Sequence, residues 1–281
     1  MTRYAVVGFD GSGAGVVAAR WAAAQAVSRG LALRVVTVVP PVHPAPAGVS
    51  AVPGRARQHV AGITLAGIVR DHPRLEAMAR EVPGTPAEVL SEIGQGADLL
   101  VVGTRGTGGF AGLRLGSVAL GVAGAAPCPV ALVPAPVLAD DRVPEVVVGV
   151  DAHNPDGKAL DLAFDAARLG RARLRAVHAW HLPPPYDESA IAVLEEDRAE
   201  WEDAEVLLLD DVLRGWREKY PGVHVLPDVR LLGPADALVR ASAGADLLVV
   251  GRGPRKVSAL GAVAHAVAHH SACPVLLASR H

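Results

Sequence analysis

The sequence predicts an α/β protein of two tandem domains, each a parallel sheet covered by helices on both faces. Three observations carry this. The string GADLLVVG occurs twice, at Gly96–Gly103 and at Gly244–Gly251. Other landmarks recur in the same order: VVGFD from Val6 and VVGVD from Val147 are offset by 141, the GADLLVVG copies by 148, and CPV from Cys128 and Cys273 by 145. Around these landmarks, almost wholly apolar runs alternate with Ala-rich or amphipathic ones, the pattern of strands buried on both faces and separated by helices. A chain of 281 residues has room for two domains of about 100 to 200 residues each.

The elements follow in order. In the first half YAVVGF reads as a strand, AGVVAARWAAAQAVSRG as a helix ended by Gly30, and LALRVVTVV as a second strand. A helix within Arg55 to Arg70 leads to a strand near Leu75 to Val82 and a short helix from Pro86 to Ile93. The strand DLLVV, a helix from Ser117 and the strand PVALV complete the half. The second half repeats the series with VVVGV, RLRAVHAW, a long helix in Glu188 to Lys219, HVLPDVRLL, ADALVRASAG, DLLVV, a helix after Gly261, and PVLLA. In that long helix the charged run EEDRAEWEDAE predicts an exposed face, with Trp201, Val206, Leu209, Val212 and Leu213 toward the sheet. The segment PAPVLADDRVPE, Pro134 to Glu145, has a linker's composition, which gives domains 1–136 and 144–281.

Composition excludes some functions. Lys plus Arg, at 27, nearly balances Asp plus Glu, at 29, so there is no strong electrostatic case for nucleic acid. No run approaches the roughly 18 to 20 apolar residues of a membrane helix, and MTRYAVVGFD reads as an opening strand rather than a signal peptide. A cytoplasmic protein is expected. Cys128 and Cys273, in APCPV and SACPV, are expected as equivalent buried thiols.

Ligands of such sheets sit at the carboxyl ends of strands, where strand order reverses. After the first strand comes Asp10-Gly11-Ser12-Gly13, and after the fourth comes GTRGTGGFAGLRLGS, Gly103 to Ser117. The glycines let backbone approach a ligand, while Gly116 and Ser117 open a helix whose free N–H groups suit phosphate; Arg105 or Arg114 could add charge. The loop alone is equally compatible with a structural turn, and Asp10 with a helix cap near Ser12.

The pattern G-x2-G-x9-G-S, formed by Gly103, Gly106, Gly116 and Ser117 after a fourth strand and paired with an acid after the first, resembles the universal stress protein family in its tandem form. The resemblance implies five-stranded parallel sheets in order 3-2-1-4-5, the adenine nucleotide alpha-hydrolase-like fold, and ATP, with Mg2+, as ligand. It places Asp10 and the backbone of Val38 at the adenosine, Gly103 and Gly106 at ribose and phosphate, and Gly116, Ser117 and Val118 as phosphate donors, with Gly11 and Arg105 counted among the ligand-binding residues. It also implies a homodimer in which the two halves form an internal pseudo-dimer.

The second half keeps Asp151 and Gly251, with Ala179 matching Val38, but Pro254 replaces the second glycine and Ala262 the serine, and the loop is three residues shorter. Its Arg252, Arg255 and Lys256 bring three positive charges into the loop and read as solvated surface, with an anion held by a different geometry as the alternative. The expectation is therefore one nucleotide site, in the first half.

Other chemistries find no support. There is no G-x4-G-K-[ST], GSGAGV fails the dinucleotide fingerprint, and no G-x-S-x-G elbow occurs. His265 and His269 stand i, i+4 without the glutamate of a zinc protease, and His178 and His181 read as polar surface or core edge, so no metal site is assigned. Thr104 and Thr107 are poor general bases, so no catalytic residue is assigned and binding is favoured over a slow ATPase or phosphotransferase. A nucleotide-free dimerising scaffold is a further alternative.

Overall fold

In the computed structural model, which describes residues 3–39, 53–106, 114–135, 142–182, 195–253 and 260–279, the apolar runs are strands and the runs between them helices. The first series is β1 (Tyr4–Gly8), α1 (Gly13–Arg29), β2 (Ala32–Val39), α2 (Pro53–Asp71), β3 (Ala77–Pro83), α3 (Pro86–Ile93), β4 (Leu99–Gly103), α4 (Ser117–Ala125) and β5 (Val130–Val133). The second is β6 (Glu145–Val150), α5 (Gly157–Gly170), β7 (Arg173–Trp180), α6 (Glu195–Lys219), β8 (Val225–Leu231), α7 (Pro234–Ser242), β9 (Leu247–Val250), α8 (Ala262–His270) and β10 (Val275–Leu277). The chain divides into two compact units, the second formed by Asp140–Gly253 with Gly261–Ala278.

Within the first unit the strands run parallel in the order β3-β2-β1-β4-β5, and within the second β8-β7-β6-β9-β10. Each is the 3-2-1-4-5 order expected. Strand order reverses between the first and fourth strands of each unit, so the crevice for a ligand opens at β1/β4 and at β6/β9.

The repeated octapeptide has a structural reason. The Asp98 carboxylate accepts the N–H of Tyr4 at 3.1 Å, and the Asp98 N–H donates to the Tyr4 carbonyl at 3.0 Å. In the second unit Asp246 does the same to Glu145, at 2.7 and 2.8 Å. The acid thus holds the start of the fourth strand to the start of the first, at the end of the sheet remote from the crevice.

Packing differs between the units. The helix α1 meets its sheet through Ala18, Ala19, Ala22, Ala23 and Ala26, none with exposed surface. Small side chains let a helix lie close. Its counterpart α5 brings Phe164, fully buried and stacked against Trp216 of α6 and Tyr220 just after it, at 5.9 and 5.4 Å between ring centres.

Several expectations shift. The region 188–194 expected at the start of α6 lies outside the described residues, as do 136–141 of the linker. Glu145, read as the linker's last residue, opens β6 and is 1% exposed, held by Arg173 at 2.5 Å and Arg175 at 3.1 Å. On α6, Leu209 and Leu213 are buried as expected and Trp201 and Val212 half-buried, but Val206 is exposed. Both thiols are buried and neither is in a disulfide; burial pushes the pKa of Cys273 up to about 11.

Candidate nucleotide site

The first-unit crevice is built by three chain turns. β1 ends at Gly8, and Phe9 adds one more backbone bond, donating to the Val36 carbonyl at 2.8 Å. Asp10 follows, half-buried, and its Oδ1 accepts the N–H of Ser12 at 2.9 Å. Gly11 between them has φ 82, a left-handed conformation that a side chain would strain. Ser12, not Asp10, caps α1: its hydroxyl accepts the N–H of Gly15 at 2.9 Å. The capping role suggested for Asp10 is thus filled by its neighbour, while Asp10 braces the turn.

The β4 loop comes down onto this turn. Thr104 continues the sheet by donating to the Val133 carbonyl at 3.0 Å, and the Thr104 carbonyl accepts the N–H of Gly116 at 2.8 Å. This clasp closes the loop at its neck. Gly106 lies directly against Asp10: a Cβ there would stand 2.6 Å from Oδ2. Any side chain at 106 would displace the carboxylate. A Cβ on Gly103 would meet the Ala14 carbonyl oxygen at 3.2 Å. The two loops that the G-x2-G-x9-G-S pattern relates are therefore adjacent.

The β2 side of the crevice is open by register. Pairing of β1 with β2 ends at Gly8 opposite Val36, whereas pairing with β3 continues to Val39. Half-buried Val38 therefore extends two positions past the last β1 partner. At the other side α4 begins at Ser117 after Gly116, with no side-chain cap. The first N–H groups of a helix have no partner inside it, so the amides of Ser117 and Val118 point toward the crevice end of α4. Ser117 and Val118 are exposed, as are Arg105 and Arg114. The amide of Gly116, expected as a phosphate donor, is committed to Thr104 instead. Thr107 lies outside the described residues.

The second unit keeps the neck and changes what surrounds it. The N–H of Gly261 donates to the Arg252 carbonyl at 2.8 Å, the same clasp. Asp151 accepts from His153 and Asn154 at 3.1 and 3.3 Å, bracing a longer turn before α5. The cap is Asp156, whose Oδ1 accepts from Lys158 and Ala159 at 3.0 and 3.1 Å. Its other oxygen occupies the space where a Cβ on Gly251 would project. Arg252, expected in solvent, is 4% exposed, and Pro254, Arg255 and Lys256 lie outside the described residues. The Asp156 carboxylate thus fills space beside Gly251 that no side chain fills beside Gly103, and Arg252 is buried.

The histidines divide. His181 is exposed, as expected, but His178 is 2% exposed and bonded to Glu205 at 2.9 Å. Glu205 closes the run expected to be solvated. The signal that places it inside is its spacing, since Trp201, Glu205, Leu209 and Leu213 form one i, i+4 stripe. On α8, His265 and His269 lie 4.6 Å apart between ring centres, and burial, then the neighbouring His265 and His270, hold the pKa of His269 below the usual histidine value.

Comparison with known proteins agrees with this architecture. The profile of the universal stress protein family matches residues 1–134 and again 144–279. A universal stress protein of Mycobacterium tuberculosis is 33% identical over 297 residues, covering 97% of this chain and 94% of its own. Another from the same organism is 35% identical over 288 residues, covering 97% and 96%. Among solved structures, a universal stress protein from Archaeoglobus fulgidus aligns with a TM-score of 0.62 at 17% identity, over 99% of this chain and 98% of its own. A Pseudomonas aeruginosa protein described as functionally unknown aligns at 0.63 and 18%, over 99% and 92%. The structural matches speak to the fold. With the profile matched twice and full-length relatives above 30% identity, this chain belongs to the universal stress protein family.

Proposed function

We propose that the first unit binds an adenine nucleotide, ATP with Mg2+, and that the protein acts as a cytoplasmic regulator whose ligand biases shape or partner choice with little or no turnover. The observation that carries this reading is the meeting of Asp10 with Gly106, where a Cβ would stand 2.6 Å from the carboxylate. The contact brings a carboxylate and side-chain-free backbone together at one crevice, an arrangement that suits a ligand requiring close backbone approach.

The remaining residues fit such a ligand. Asp10 supplies an acceptor for hydroxyl or amino donors, and Gly11 and the backbone of Val38 flank it. Gly103, Arg105 and Gly106 line the path toward α4. Ser117 and Val118 offer amides at a helix N-terminus, and Ser117 a hydroxyl, to phosphate. Gly116 contributes its lack of side chain rather than its N–H. Mg2+ keeps several waters and binds largely through phosphate oxygens, so it requires no dedicated protein cage here. The polyphosphate supplies negative charge for the donors to hold, and the loop sequence offers only Thr104 and Thr107, poor general bases, which favours binding over hydrolysis.

The test is to purify the full chain, denature it by heat and identify released small molecules by mass spectrometry, then titrate the stripped protein with magnesium ATP. Released adenine nucleotide and saturable binding are expected. Absence of both would leave the nucleotide-free scaffold as the better reading. The same proposal includes a homodimer, with the two halves of each chain as an internal pseudo-dimer; sedimentation of the full chain at several concentrations tests the dimer.

A further inference from the structure

We propose that the second unit holds a divalent transition-metal ion, of the zinc class, between His153, His178 and Glu205. The three residues come from three elements: the turn after β6, the strand β7 and the helix α6. Each is placed by its surroundings. Asp151 accepts the N–H of His153 and so fixes the turn that carries it. His178 is buried in β7, and Glu205 lies on the inward stripe of α6.

The donor atoms converge. Nε2 of His178 lies 2.9 Å from Oε2 of Glu205, and Nε2 of His153 lies 3.1 Å from the same oxygen and 3.3 Å from Oε1. One ligand atom from each residue falls within 4.8 Å of the others. Donors about 2.1 Å from a tetrahedral ion stand roughly 3.4 Å from one another, so a small opening of this cluster would seat one. His153, with its side chain 65% exposed, can make that adjustment and leaves one face to water.

The bonding of His178 points to a cation. Its Nδ1 lies 3.1 Å from the Val150 carbonyl and 3.4 Å from the Ala152 N–H. In the tautomer that follows the shorter contact, Nδ1 donates to the carbonyl. Nε2 of the neutral ring then carries a lone pair that faces a carboxylate oxygen at 2.9 Å, and something positive must stand between them: a proton or a metal ion. A histidine whose second nitrogen donates to a backbone carbonyl is the usual state of a metal ligand, because that bond sets tautomer and orientation. Two imidazoles and one carboxylate suit zinc and its first-row neighbours rather than magnesium or calcium.

The site has no counterpart in the first unit. In the matching registers of β2 and β7, Thr37 stands where His178 does. The cluster occupies the carboxyl ends of β6 and β7, the place where Asp10 and Val38 lie in the first unit.

The experiment strips the full chain with chelator and titrates it with Co2+ and Zn2+, reading Co2+ visible absorption, calorimetric stoichiometry and the thermal transition. One equivalent per chain is expected, with ligand-field bands of a four- or five-coordinate nitrogen and oxygen site that Zn2+ displaces, and a thermal transition raised by Zn2+. His153→Ala, at an exposed position, should leave the chelated protein's transition in place and weaken binding at least tenfold. Glu205→Gln should do likewise to binding. A variant with His265→Ala and His269→Ala should keep the bands. Unchanged Co2+ binding in His153→Ala, bands lost in the His265 and His269 variant, or no binding by the folded wild-type chain at millimolar metal would each overturn the proposal; the last would mean that the proton alone joins His178 to Glu205.

Discussion

The loops after β4 and β9 begin from the same octapeptide and close with the same clasp, Gly116 to Thr104 and Gly261 to Arg252, both at 2.8 Å. They diverge in what lies under the neck. Gly103 abuts the backbone carbonyl of Ala14, whereas Gly251 abuts the carboxylate of Asp156. In the first unit the floor offers glycines beside one acid. In the second the capping carboxylate of Asp156 stands there. The repeated strand is therefore explained by pairing at its other end, where Asp98 and Asp246 tie adjacent strands together.

The sharpest way to break this contrast is to place the same charge in both necks. A Cβ on Gly116 would meet the Thr104 oxygen at 3.6 Å, an ordinary contact, so Gly116→Glu should fold normally and even gain from the helix dipole. Its charge and bulk stand where phosphate is proposed, and magnesium ATP affinity should fall at least 100-fold, about 3 kcal/mol. On Gly261 a Cβ would meet the Arg252 oxygen at 3.1 Å and the Gly253 Cα at 3.3 Å. Gly261→Glu should lower the thermal transition, by about 1 to 3 kcal/mol of stability, and leave ATP affinity unchanged. Equal losses of affinity in calorimetry would mean that both units bind.

A second measurement sharpens the contrast by rebuilding the missing loop. The wild-type chain is expected to titrate with one strong magnesium ATP site. Grafting Thr104 to Ser117 in place of Arg252 to Ala262 restores the glycines, the serine and the lost three residues, but Asp156 still directs a carboxylate at Gly251. The graft alone should therefore give a second site at least tenfold weaker than the first. Adding Asp156→Ser should narrow that gap. Two equal sites before any change would show that the floor does not discriminate.

Much of this was legible in the chain. The limits of α3 and the start of α4 are those expected from Pro86, Ile93 and Ser117, because proline and Gly-Ser punctuation mark helix ends locally. The sheet order followed from family resemblance, and the alternation of strand and helix from periodicity. What stayed hidden depends on partners distant in sequence. Glu145 has a linker's composition until Arg173 and Arg175, in β7, enclose it. The longer turn before α5 was missed because landmarks were matched on strands, whereas the capping residues Ser12 and Asp156 are offset by 144 rather than 141. Glu205 was hidden by composition, since seven acids in eleven residues outweigh the i, i+4 stripe that turns one of them inward.

A smaller effect tests a single donor. Ser117 is exposed at the first position of α4, so Ser117→Ala removes a hydroxyl without opening a cavity. Magnesium ATP affinity should weaken by about 1 to 2 kcal/mol, in line with one hydrogen bond to a charged group, while the ligand-free thermal transition stays in place. Unchanged affinity would remove Ser117 from the site. The reciprocal Ala262→Ser, in a unit where Pro254 stands for the second glycine and Asp156 fills the space beside Gly251, should add no binding.

The smallest expected difference lies in the two helix caps, and it isolates what the longer turn of the second unit contributes. Ser12 holds one amide with a neutral hydroxyl, so Ser12→Ala should cost about 1 kcal/mol or less. Asp156 holds two amides with a charged oxygen at the positive end of α5, so Asp156→Ala should cost about 1 to 2 kcal/mol. The excess is electrostatic, and adding salt to roughly 1 M should shrink it while leaving the Ser12 cost nearly constant. Denaturant unfolding of the two variants, with and without salt, reads the difference; equal costs at both ionic strengths would show that Asp156 acts as a plain hydrogen-bond acceptor. Ser12→Ala keeps the backbone N–H that Asp10 accepts, so ATP affinity should stay within about twofold, and a larger loss would mean that the cap, not only the carboxylate, orders the crevice.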